Sequence, residues 1–265
     1  MNVNAAEMAV VSAEAAAGVL TVTLRRPEKR NALSRPLIAA LAQVFTEWRD
    51  RDKVAVAVLT GEGDKAFASG GDVRELAALR EEAETLAFAE QTRAALDTIR
   101  HFPVPVVAAV NGDALGGGAE LALACDIRIA AAHARIGFLQ ATLNISTAWG
   151  GGTDLFRLVG PSRALLLLGT AEALSAERAL SLGLIDAVAE GGQSFAAAVA
   201  GFVAPFATRP RQVAKAFKAV AIAHRSGLPA SEVAQIETRA FAQTWVHPDH
   251  WQAVEARFNR RGGKS

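Results

Sequence analysis

Residues 104–121 read VPVVAAVNGDALGGGAEL, and this stretch decides the fold class. Its first part, Val104–Val110, is a continuous apolar run that ends at the turn pair Asn111-Gly112, which predicts a buried strand. Three consecutive glycines, Gly116 to Gly118, follow, and Glu120 then opens an otherwise apolar helical pattern. A strand, a glycine-rich loop and a helix in this order are typical of an α/β protein with parallel strands.

The segments upstream show the same alternation of strand and helix. Thr21–Leu24 and Val54–Thr60 are predicted as strands because they are short, apolar and rich in β-branched residues. Ser34 is predicted to cap the N-terminus of a helix, with Pro36 in its first turn. The alternation supports the α/β class.

The domain organisation is predicted from the place where the strands stop. Beyond Pro161 the pattern is helical, and no strand is obvious after Ile185–Val188. We therefore expect an α/β core over residues 1–200 and a C-terminal helical region over residues 201–265.

The composition excludes several classes of protein. The chain has 265 residues with 28 basic and 27 acidic side chains, so its net charge of +1 lacks the basic field of a nonspecific nucleic-acid binder. No uncharged apolar run reaches about 18 residues, which argues against a membrane span. The first twenty residues contain no Lys or Arg, unlike a secretory signal peptide. We therefore expect a cytoplasmic protein that binds neither nucleic acid nor a membrane.

Neither the single cysteine nor the histidines indicate a metal site. Cys125 ends an apolar helical pattern and is interpreted as a buried packing thiol. The histidines lack the spacing of metal ligands, so we expect no metal and place these side chains at the surface or at helix ends. They are His101, His133, His224, His247 and His250.

A second glycine cluster, Ser69-Gly70-Gly71-Asp72, follows the predicted strand at Val54–Thr60, as Gly116 to Gly118 follow the strand at Val104–Val110. Glycine lets backbone N–H groups approach a ligand closely, and a helix N-terminus adds partial positive charge. Two such loops can direct two N–H groups at one oxygen and form an oxyanion hole. Alternatively, the glycines serve only to turn the chain. Neither cluster has the G-x-G-x-x-G or Walker pattern of a nucleotide phosphate site.

Glu120 is a lone carboxylate at the start of an apolar helical pattern. Such a residue is either a partner of the helix dipole or a desolvated group that transfers protons. The residues alone leave these two interpretations open.

The glycine clusters and their flanks carry the motifs of a known family. They read AFASGGDV at residues 66–73 and continue with residues 104–121 and Cys125-Asp126. Together with RRPEKRNALS at residues 25–34 and with residues 174–185, they resemble the enoyl-CoA hydratase/isomerase (crotonase) superfamily. The resemblance is strong over roughly residues 20–190 and weaker over the C-terminal helices.

The resemblance implies a fold, an assembly and a substrate class. The fold would be α/β, a crotonase-like spiral of ββα units with a C-terminal helical region, assembled as a homotrimer or a dimer of trimers. The substrate would be an acyl thioester of coenzyme A, so that CoA is part of the substrate and no permanently bound cofactor is expected. In this family the thioester carbonyl lies between two backbone N–H groups, which correspond to those of Gly71 and Gly117.

The same resemblance assigns a set of residues to the binding of CoA. Trp149 is part of this set, and it is interpreted either as a packing residue of the core or as a wall of the acyl pocket. A basic stretch is typical of a solvated helix face, although the family geometry would let it reach CoA phosphates: Arg209, Arg211, Lys215 and Lys218. The assigned CoA-binding residues are Arg30, Ala32, Ser69, Gly70, Gly71, Asp72, Val73, Gly116 and Gly117.

Hydratases of the family use two glutamates twenty residues apart, and the first corresponds to Glu120. The second position falls on Gln140, which can orient a water or a carboxylate but cannot transfer a proton at neutral pH. The usual Pro-Gly is replaced by Thr147-Ala148. The Trp149-Gly150-Gly151 that follows, together with Trp245, is similar to the acyl-CoA decarboxylase branch of the superfamily.

The prediction is an enzyme that acts on an acyl-CoA through an oxyanion-stabilised enolate, of the enoyl-CoA hydratase/isomerase type. One alternative is a decarboxylase of a malonyl-CoA-like substrate such as methylmalonyl- or ethylmalonyl-CoA, because loss of CO₂ generates the enolate without a strong base. Another is a non-catalytic binder of CoA esters, against which the retention of Glu120 argues. The predicted catalytic residues are Glu120, Gln140, Gly71 and Gly117.

Overall fold

The computed structural model describes residues 10–189 and 191–262, which contain two sheets and eleven α-helices. Residues 1–9, part of the N-terminal segment that differs from a signal peptide, lie outside the described residues, as do residues 190 and 263–265. The strands are β1 (Val11–Ala16), β2 (Val19–Leu24), β3 (Val56–Gly61), β4 (Ala66–Ala68), β5 (Val106–Val110), β6 (Asp113–Leu115), β7 (Ile127–Ala130), β8 (Arg135–Gly137), β9 (Leu174–Ser175) and β10 (Ala187–Val188). The helices are α1 (Arg35–Glu47), α2 (Val73–Leu76), α3 (Glu82–Arg100), α4 (Gly117–Ala124), α5 (Gly151–Val159), α6 (Pro161–Thr170), α7 (Ala176–Ser181), α8 (Phe195–Ala207), α9 (Arg211–Arg225), α10 (Ala230–Trp245) and α11 (Pro248–Gly262).

Most strands are parallel, which confirms the predicted α/β class. The large sheet has the order β1-β2-β3-β5-β7-β10, and only β1 is antiparallel to its neighbour. The small sheet has the order β4-β6-β8-β9, with β9 antiparallel to β8. Every residue of β5 is buried, as expected for a parallel strand that is covered on both faces.

The chain repeats a unit of two strands and a helix in which the strands belong to different sheets. The unit β3–β4–α2 is followed by β5–β6–α4, with the first strand of each in the large sheet and the second in the small one. The expectation that the glycine clusters directly follow the long strands is therefore wrong. They follow the three-residue strands β4 and β6, which are too short to produce a recognisable pattern.

The turn at Asn111-Gly112 moves the chain from one sheet to the other. The Asn111 side chain accepts a hydrogen bond from the N–H of Gly61 at 3.0 Å and donates one to the carbonyl of Gly63 at 2.8 Å. A Cβ at Gly112 would lie 2.5 Å from the backbone nitrogen of Ala66, so no side chain fits. This turn places β6 beside β4 and thereby positions the loop that follows β6.

The boundaries of several elements differ from the predicted ones. β3 and β5 begin two residues later than predicted, although Val54 and Val104 are buried. Ser34 caps α1 as predicted, because its hydroxyl accepts from the N–H of Leu37. The two-residue strand β9 interrupts a region that the sequence indicates as helical.

Of the C-terminal helices, α8 covers part of the large sheet. α8 packs on the outer face of the sheet through Val199 and Val203. The boundary predicted at residue 200 lies inside α8, and the division into two regions stays a prediction. α10 packs against α9 and buries no residue completely. Within the described residues, no helix combines the length and the apolar character needed to cross a bilayer.

Candidate active site

The two glycine loops lie side by side at one edge of the small sheet. β4 and β6 are parallel neighbours, so the loops that follow them leave the same edge. A Cβ placed on Gly70 would lie 3.7 Å from the backbone nitrogen of Gly117. The structure therefore brings residues 69–72 and 116–118 together.

The backbone N–H groups of Gly71 and Gly117 are not used by the rest of the described protein. Within residues 10–189 and 191–262, neither group donates a hydrogen bond to a protein acceptor. Gly117 is the first residue of α4, where an N–H has no partner inside the helix and carries part of the positive end of the helix dipole. Two adjacent donors of this kind can stabilise negative charge that develops on one oxygen.

Backbone geometry explains why both loops contain glycine. Gly70 has a φ of 106° and Gly116 a φ of 54° with a ψ of −118°, which other residues rarely adopt. A side chain at Gly117 would collide with Trp149, and one at Gly118 would collide with the carbonyl of Ala68. The glycines therefore do more than turn the chain, because two of them leave room for neighbouring groups.

Glu120 lies three residues after Gly117 in the first turn of α4, and it is only 2% exposed. Its Oε2 accepts hydrogen bonds from the N–H groups of Trp149 and Gly151, both at 2.9 Å. Its Oε1 accepts one from Nε2 of Gln140, also at 2.9 Å. Because each carboxylate oxygen has two lone pairs, Oε2 is fully used and Oε1 keeps one free acceptor position.

Burial raises the pKa of Glu120, because the charged form of the carboxylate loses its hydration. The hydrogen bonds from Gly151, Trp149 and Gln140 oppose this effect by stabilising the anion, and so does the nearby N–H of Ala148. All of these donors are uncharged groups. A carboxyl group in these surroundings is suited to take up a proton and to release it again.

Gln140 lies beside Glu120, within a 3-10 helix at Leu139–Leu143. Its Oε1 is buried, and in the part of the chain that the structure describes it accepts no hydrogen bond. The two positions twenty residues apart in the sequence therefore meet in space. They present one carboxylate oxygen and one amide oxygen that can still accept hydrogen bonds.

The indole ring of Trp149 lies beside both glycine loops. The ring is buried and lies against the α-carbons of Gly71 and Gly117; a Cβ on Gly71 would be 3.3 Å from its Cη2. It also packs edge-to-face on Phe88, with ring centroids 6.2 Å apart. Trp149 therefore belongs to the core and at the same time borders the site.

Similarity to known proteins extends over nearly the whole chain. The family model for enoyl-CoA hydratase/isomerase matches residues 14–261. The chain belongs to the enoyl-CoA hydratase/isomerase family. This confirms the resemblance that the motifs at residues 25–34, 66–73 and 104–121 carry.

Two curated members of this enoyl-CoA hydratase/isomerase family are similar in sequence. The chain is 38% identical to the short-chain-enoyl-CoA hydratase of Clostridium acetobutylicum over 172 residues, which cover 65% of this chain and 66% of that protein. It is 38% identical to the crotonyl-CoA hydratase of Syntrophomonas wolfei over 170 residues, which cover 63% of this chain and 64% of that protein. The matched segment thus spans slightly less than two thirds of these relatives' own lengths.

The fold matches that of a solved member of the family over its full length. The crystal structure of an enoyl-CoA hydratase from Bacillus anthracis superposes with a TM-score of 0.88 at 30% identity, covering 95% of this chain and 96% of that one. The predicted crotonase-like fold with C-terminal helices is therefore confirmed.

The two segments that the family resemblance assigns to CoA binding, residues 30–32 and 69–73, lie next to each other. The N–H of Ser69 donates to the carbonyl of Arg30 at 3.1 Å, and that of Leu33 donates to the carbonyl of Gly70 at 2.8 Å. The N–H of Asp72 in turn donates to the carbonyl of Leu33 at 3.0 Å. Residues 30–33 and 69–72 therefore form one continuous edge beside the site.

Several side chains along this edge already form ion pairs or hydrogen bonds with other residues of the protein. Asp72 pairs with Arg26 at 3.1 Å, and the same Arg26 donates to the carbonyl of Ala32 at 2.7 Å. Arg30 pairs with Asp113 at 2.9 Å but stays half exposed, and Val73 is exposed. Arg30 and Val73 are accordingly the most exposed side chains of this edge, and Ala32, Ser69 and Asp72 are partly exposed.

The interpretation of the basic stretch as a solvated helix face is wrong for Lys218. Lys218 is 2% exposed and forms an ion pair with Asp126 at 2.5 Å. The pattern of charges along α9 does not reveal this, because the partner lies 92 residues away in sequence. Cys125 is buried as predicted, and burial raises the pKa of its thiol to about 12.

Three charged residues behind the Glu120 site could not be predicted from the sequence: Arg100, Asp154 and Arg225. Arg100 and Arg225 both pair with Asp154, at 2.9 and 3.0 Å. The only local signal is Asp154 itself, an acidic residue next to the buried Leu155 in α5. Its partners lie 54 and 71 residues away, so the sequence cannot indicate them.

Proposed function

We propose that the protein is an enoyl-CoA hydratase/isomerase-type enzyme that acts on an acyl-CoA thioester through an enolate. The observation that carries this proposal is the combination of two free backbone N–H groups, at Gly71 and Gly117, with the buried carboxylate of Glu120. Family membership supports the substrate class, as do the relatives named as hydratases of short-chain enoyl-CoA and crotonyl-CoA.

The two N–H groups would hold the thioester oxygen. When a proton leaves the carbon next to a thioester carbonyl, negative charge develops on that oxygen. Donors that are already oriented stabilise this charge in the transition state, typically by about 10²–10³-fold in rate for each donor. The donor at Gly117 has the additional field of the α4 N-terminus.

Double-bond migration is the reaction that this site supports best. Oε1 of Glu120, which has a free lone pair, would take a proton from C2 of a 3-enoyl-CoA while the electron pair moves onto the thioester oxygen. The same carboxyl group would return the proton to C4, which leaves the double bond between C2 and C3. One proton-transfer group suffices for this exchange, and Glu120 is one such group.

Hydration of a 2-enoyl-CoA makes greater demands on the site. The water must lose a proton to a base and add to C3, while a proton reaches C2. Glu120 would have to serve both transfers, because Gln140 cannot carry a proton. The free Oε1 of Gln140 would orient the water by accepting one of its O–H groups. We therefore expect hydration to be slower than isomerisation.

A decarboxylase of a malonyl-CoA-like substrate is the second candidate, favoured by the neutral Gln140 and the buried Trp149. In that reaction the bond between C2 and the carboxylate carbon breaks, the electron pair enters the enolate and CO₂ leaves. C2 then takes up a proton. An indole beside the substrate carboxylate would desolvate its charge and favour the loss of CO₂.

Trp149 also supports a preference for short acyl groups. Its ring packs against Gly71 and Gly117, so it would limit the room for an acyl chain bound at these glycines. Trp149 would thus form a wall of the acyl pocket. Arg30 and Val73, at the exposed edge, would contact the nucleotide part of CoA.

The proposal includes assembly as a homotrimer or a dimer of trimers in the cytoplasm, with CoA bound as part of the substrate and no resident cofactor. Large apolar side chains on the C-terminal helices support assembly, because their exposure to water is unfavourable. They include Phe217, Phe241, Trp245 and Trp251. Light scattering on the purified protein measures the assembly directly.

A substrate panel tests the proposal. The purified protein is assayed with crotonyl-CoA, a 3-enoyl-CoA, methylmalonyl-CoA and ethylmalonyl-CoA for double-bond migration, hydration and release of CO₂. We expect the fastest turnover with the 3-enoyl-CoA. Release of CO₂ alone would establish the decarboxylase, and tight binding without turnover would establish a non-catalytic binder.

The Gly117→Pro variant tests the role of the N–H donors. Proline removes the N–H, and we expect turnover to fall by at least about 10²-fold. Its ring would also collide with Trp149, so Gly117→Ala, which keeps the N–H and meets the same ring, is the matched control. Isothermal titration should also show that CoA thioesters bind far more tightly than the free acids. Equal affinity for both would contradict recognition of the thioester and the nucleotide.

A further inference from the structure

A buried charged network formed by Arg100, Asp154 and Arg225 lies directly behind the loop that holds Glu120. Arg100 ends α3, Asp154 lies in the first turn of α5 and Arg225 ends α9. Nε of Arg100 donates to Oδ2 of Asp154 at 2.9 Å, and Nε of Arg225 donates to Oδ1 at 3.1 Å. One carboxylate therefore joins three helices.

One end of the network contacts the loop at residues 149–151. Nη2 of Arg100 donates to the carbonyl of Trp149 at 2.9 Å. The guanidinium also lies against Gly150, where a Cβ would come within 2.8 Å of Nη2. The N–H groups of Trp149 and Gly151, on either side of this contact, are the two donors to Oε2 of Glu120.

The other end of the network contacts the helix that carries Glu120. Nη1 of Arg225 donates to the carbonyl of Ala124 at 3.1 Å, and Nη2 donates to the carbonyl of Leu123. Both carbonyls lie at the C-terminal end of α4. Asp154 therefore connects the helix that carries Glu120 with the loop that supplies its hydrogen-bond donors.

Buried ion pairs contribute little net stability to a fold. The desolvation of the ions cancels much of their attraction, and well-packed apolar residues often replace them without loss. They do provide fixed geometry, because the planar guanidinium bonds to several acceptors in one orientation. Arg100 uses all three of its nitrogens in this way, on Asp154, Asp97 and the carbonyl of Trp149.

We propose that Arg100, held by Asp154 and Arg225, is a positioning residue for proton transfer at Glu120. Arg100 orients the peptide groups of residues 149–151 so that both N–H groups meet Oε2 of Glu120, which leaves Oε1 to carry the proton. The inference rests on the proposed function in one respect, namely that Glu120 transfers the proton.

Loss of this orientation has a consequence for the protonation of Glu120. The donors to its carboxylate are uncharged and stabilise the anion, so that weakening them raises its pKa further. The charged groups near the site in the described residues are Asp97 and Arg100 on α3, Asp154 and Arg157 on α5, Lys218 and Arg225 on α9, and Asp126, which pairs with both Lys218 and Arg225.

The test is Arg100→Lys, which keeps the charge but cannot bond to three acceptors at once. The pKa of Glu120 is measured by ¹³C NMR on ligand-free protein labelled at glutamate, with Glu120→Gln to assign the signal. We expect an upward shift of about one pH unit, the size typical of a lost hydrogen bond to an ionised group. The acidic limb of the kcat/KM profile, which reports the free enzyme, should shift equally, and on that limb kcat should be about tenfold lower with KM nearly unchanged.

Arg128→Lys is the matched control. Arg128 is also buried and pairs with Asp186, but it bonds to the carbonyls of Cys125 and Leu184 and not to residues 149–151. It should lower stability without moving the pKa of Glu120. If Arg100→Lys does not fold, Asp154→Asn takes its place, with a smaller shift in the same direction.

An unchanged pKa of Glu120 in folded Arg100→Lys, or an equal shift in Arg128→Lys, would overturn the inference. Failure of the proposed function is a separate result, because the NMR titration needs no substrate. If the pKa shifts while no acyl-CoA is turned over by the unmodified protein, the positioning role stands and the proposed reaction is wrong.

Discussion

Glu120 and Asp154 are buried carboxylates on the successive helices α4 and α5, and the protein holds them in opposite ways. Glu120 accepts hydrogen bonds from three uncharged N–H groups, whereas Asp154 pairs with the guanidinium groups of Arg100 and Arg225. A buried carboxylate among neutral donors can take up a proton, while one between two guanidinium groups holds those groups in a fixed geometry. The surroundings of Glu120 therefore suit proton transfer, which we propose, whereas those of Asp154 suit holding three helices together.

The largest expected effect is on turnover in Glu120→Gln. Glutamine keeps the size of the side chain but cannot transfer a proton, so we expect kcat to fall by about 10²–10⁴-fold while the fold is retained. Steady-state kinetics with a 3-enoyl-CoA measure the effect, and Glu177→Gln on the exposed face of α7 is the control. Turnover equal to that of the control would assign Glu120 a structural role.

Removal of the other buried carboxylate, in Asp154→Leu, should lower the free energy of unfolding. It leaves Arg100 and Arg225 buried without their shared partner, and we expect a loss of about 3–5 kcal/mol in the free energy of unfolding. Urea denaturation measures it. Asp97→Asn removes a half-exposed partner of Arg100 and should cost less than about 1 kcal/mol. Equal losses of free energy in Asp154→Leu and Asp97→Asn would show that the buried and the half-exposed partner of Arg100 contribute alike to stability.

Gln140→Glu adds a second carboxylate next to Glu120 and should change the balance between reactions. In a hydratase/isomerase-type enzyme it supplies the missing proton-transfer group, and we expect crotonyl-CoA hydration to rise by about 10²-fold. In a decarboxylase the new anion would repel the substrate carboxylate by about 4 kcal/mol at roughly 4 Å and an effective dielectric near 20. Parallel assays distinguish the two outcomes by sign, and no change in either would exclude Gln140 from the reaction.

The smallest effect is on the pH dependence of stability. Because burial raises the pKa of Glu120, the folded protein binds this proton more tightly than the unfolded chain. The resulting stability is fully present below the unfolded-state pKa and is lost as the pH rises through the raised pKa. Relative to Glu120→Gln, the free energy of unfolding should therefore fall as the pH rises from about 4 through the raised pKa of Glu120. A constant difference across this range would contradict a raised pKa.

The sequence predicts the glycine loops well and their supporting strands poorly. Residues 116–118 are easy to recognise, because three consecutive glycines before an apolar helical pattern indicate a tight loop. The strands β4 and β6, which bring the two loops together, have three residues each and show no periodicity of their own. The turn at Asn111-Gly112 is recognisable, but only the structure shows that it leads into a second sheet.

The residues that hold Glu120 illustrate a second limit of sequence analysis. The pairing of Glu120 with Gln140 follows from the spacing of a family motif, so the family resemblance predicts it. The N–H donors at Trp149 and Gly151 are backbone groups, which carry no side-chain signature in the sequence. The sequence therefore indicates the carboxylate that we propose to transfer the proton, but not most of the groups that surround it.

The sequence by itself determined the α/β class, the family and the two glycine loops, because these depend on local patterns of apolar residues and glycine. Only the tertiary structure decided that Lys218 is buried against Asp126 and that Asp154 lies between two arginines. The physical reason is that the environment of a charge depends on groups far away in the chain. Packing brings those groups together, and the local sequence does not record them.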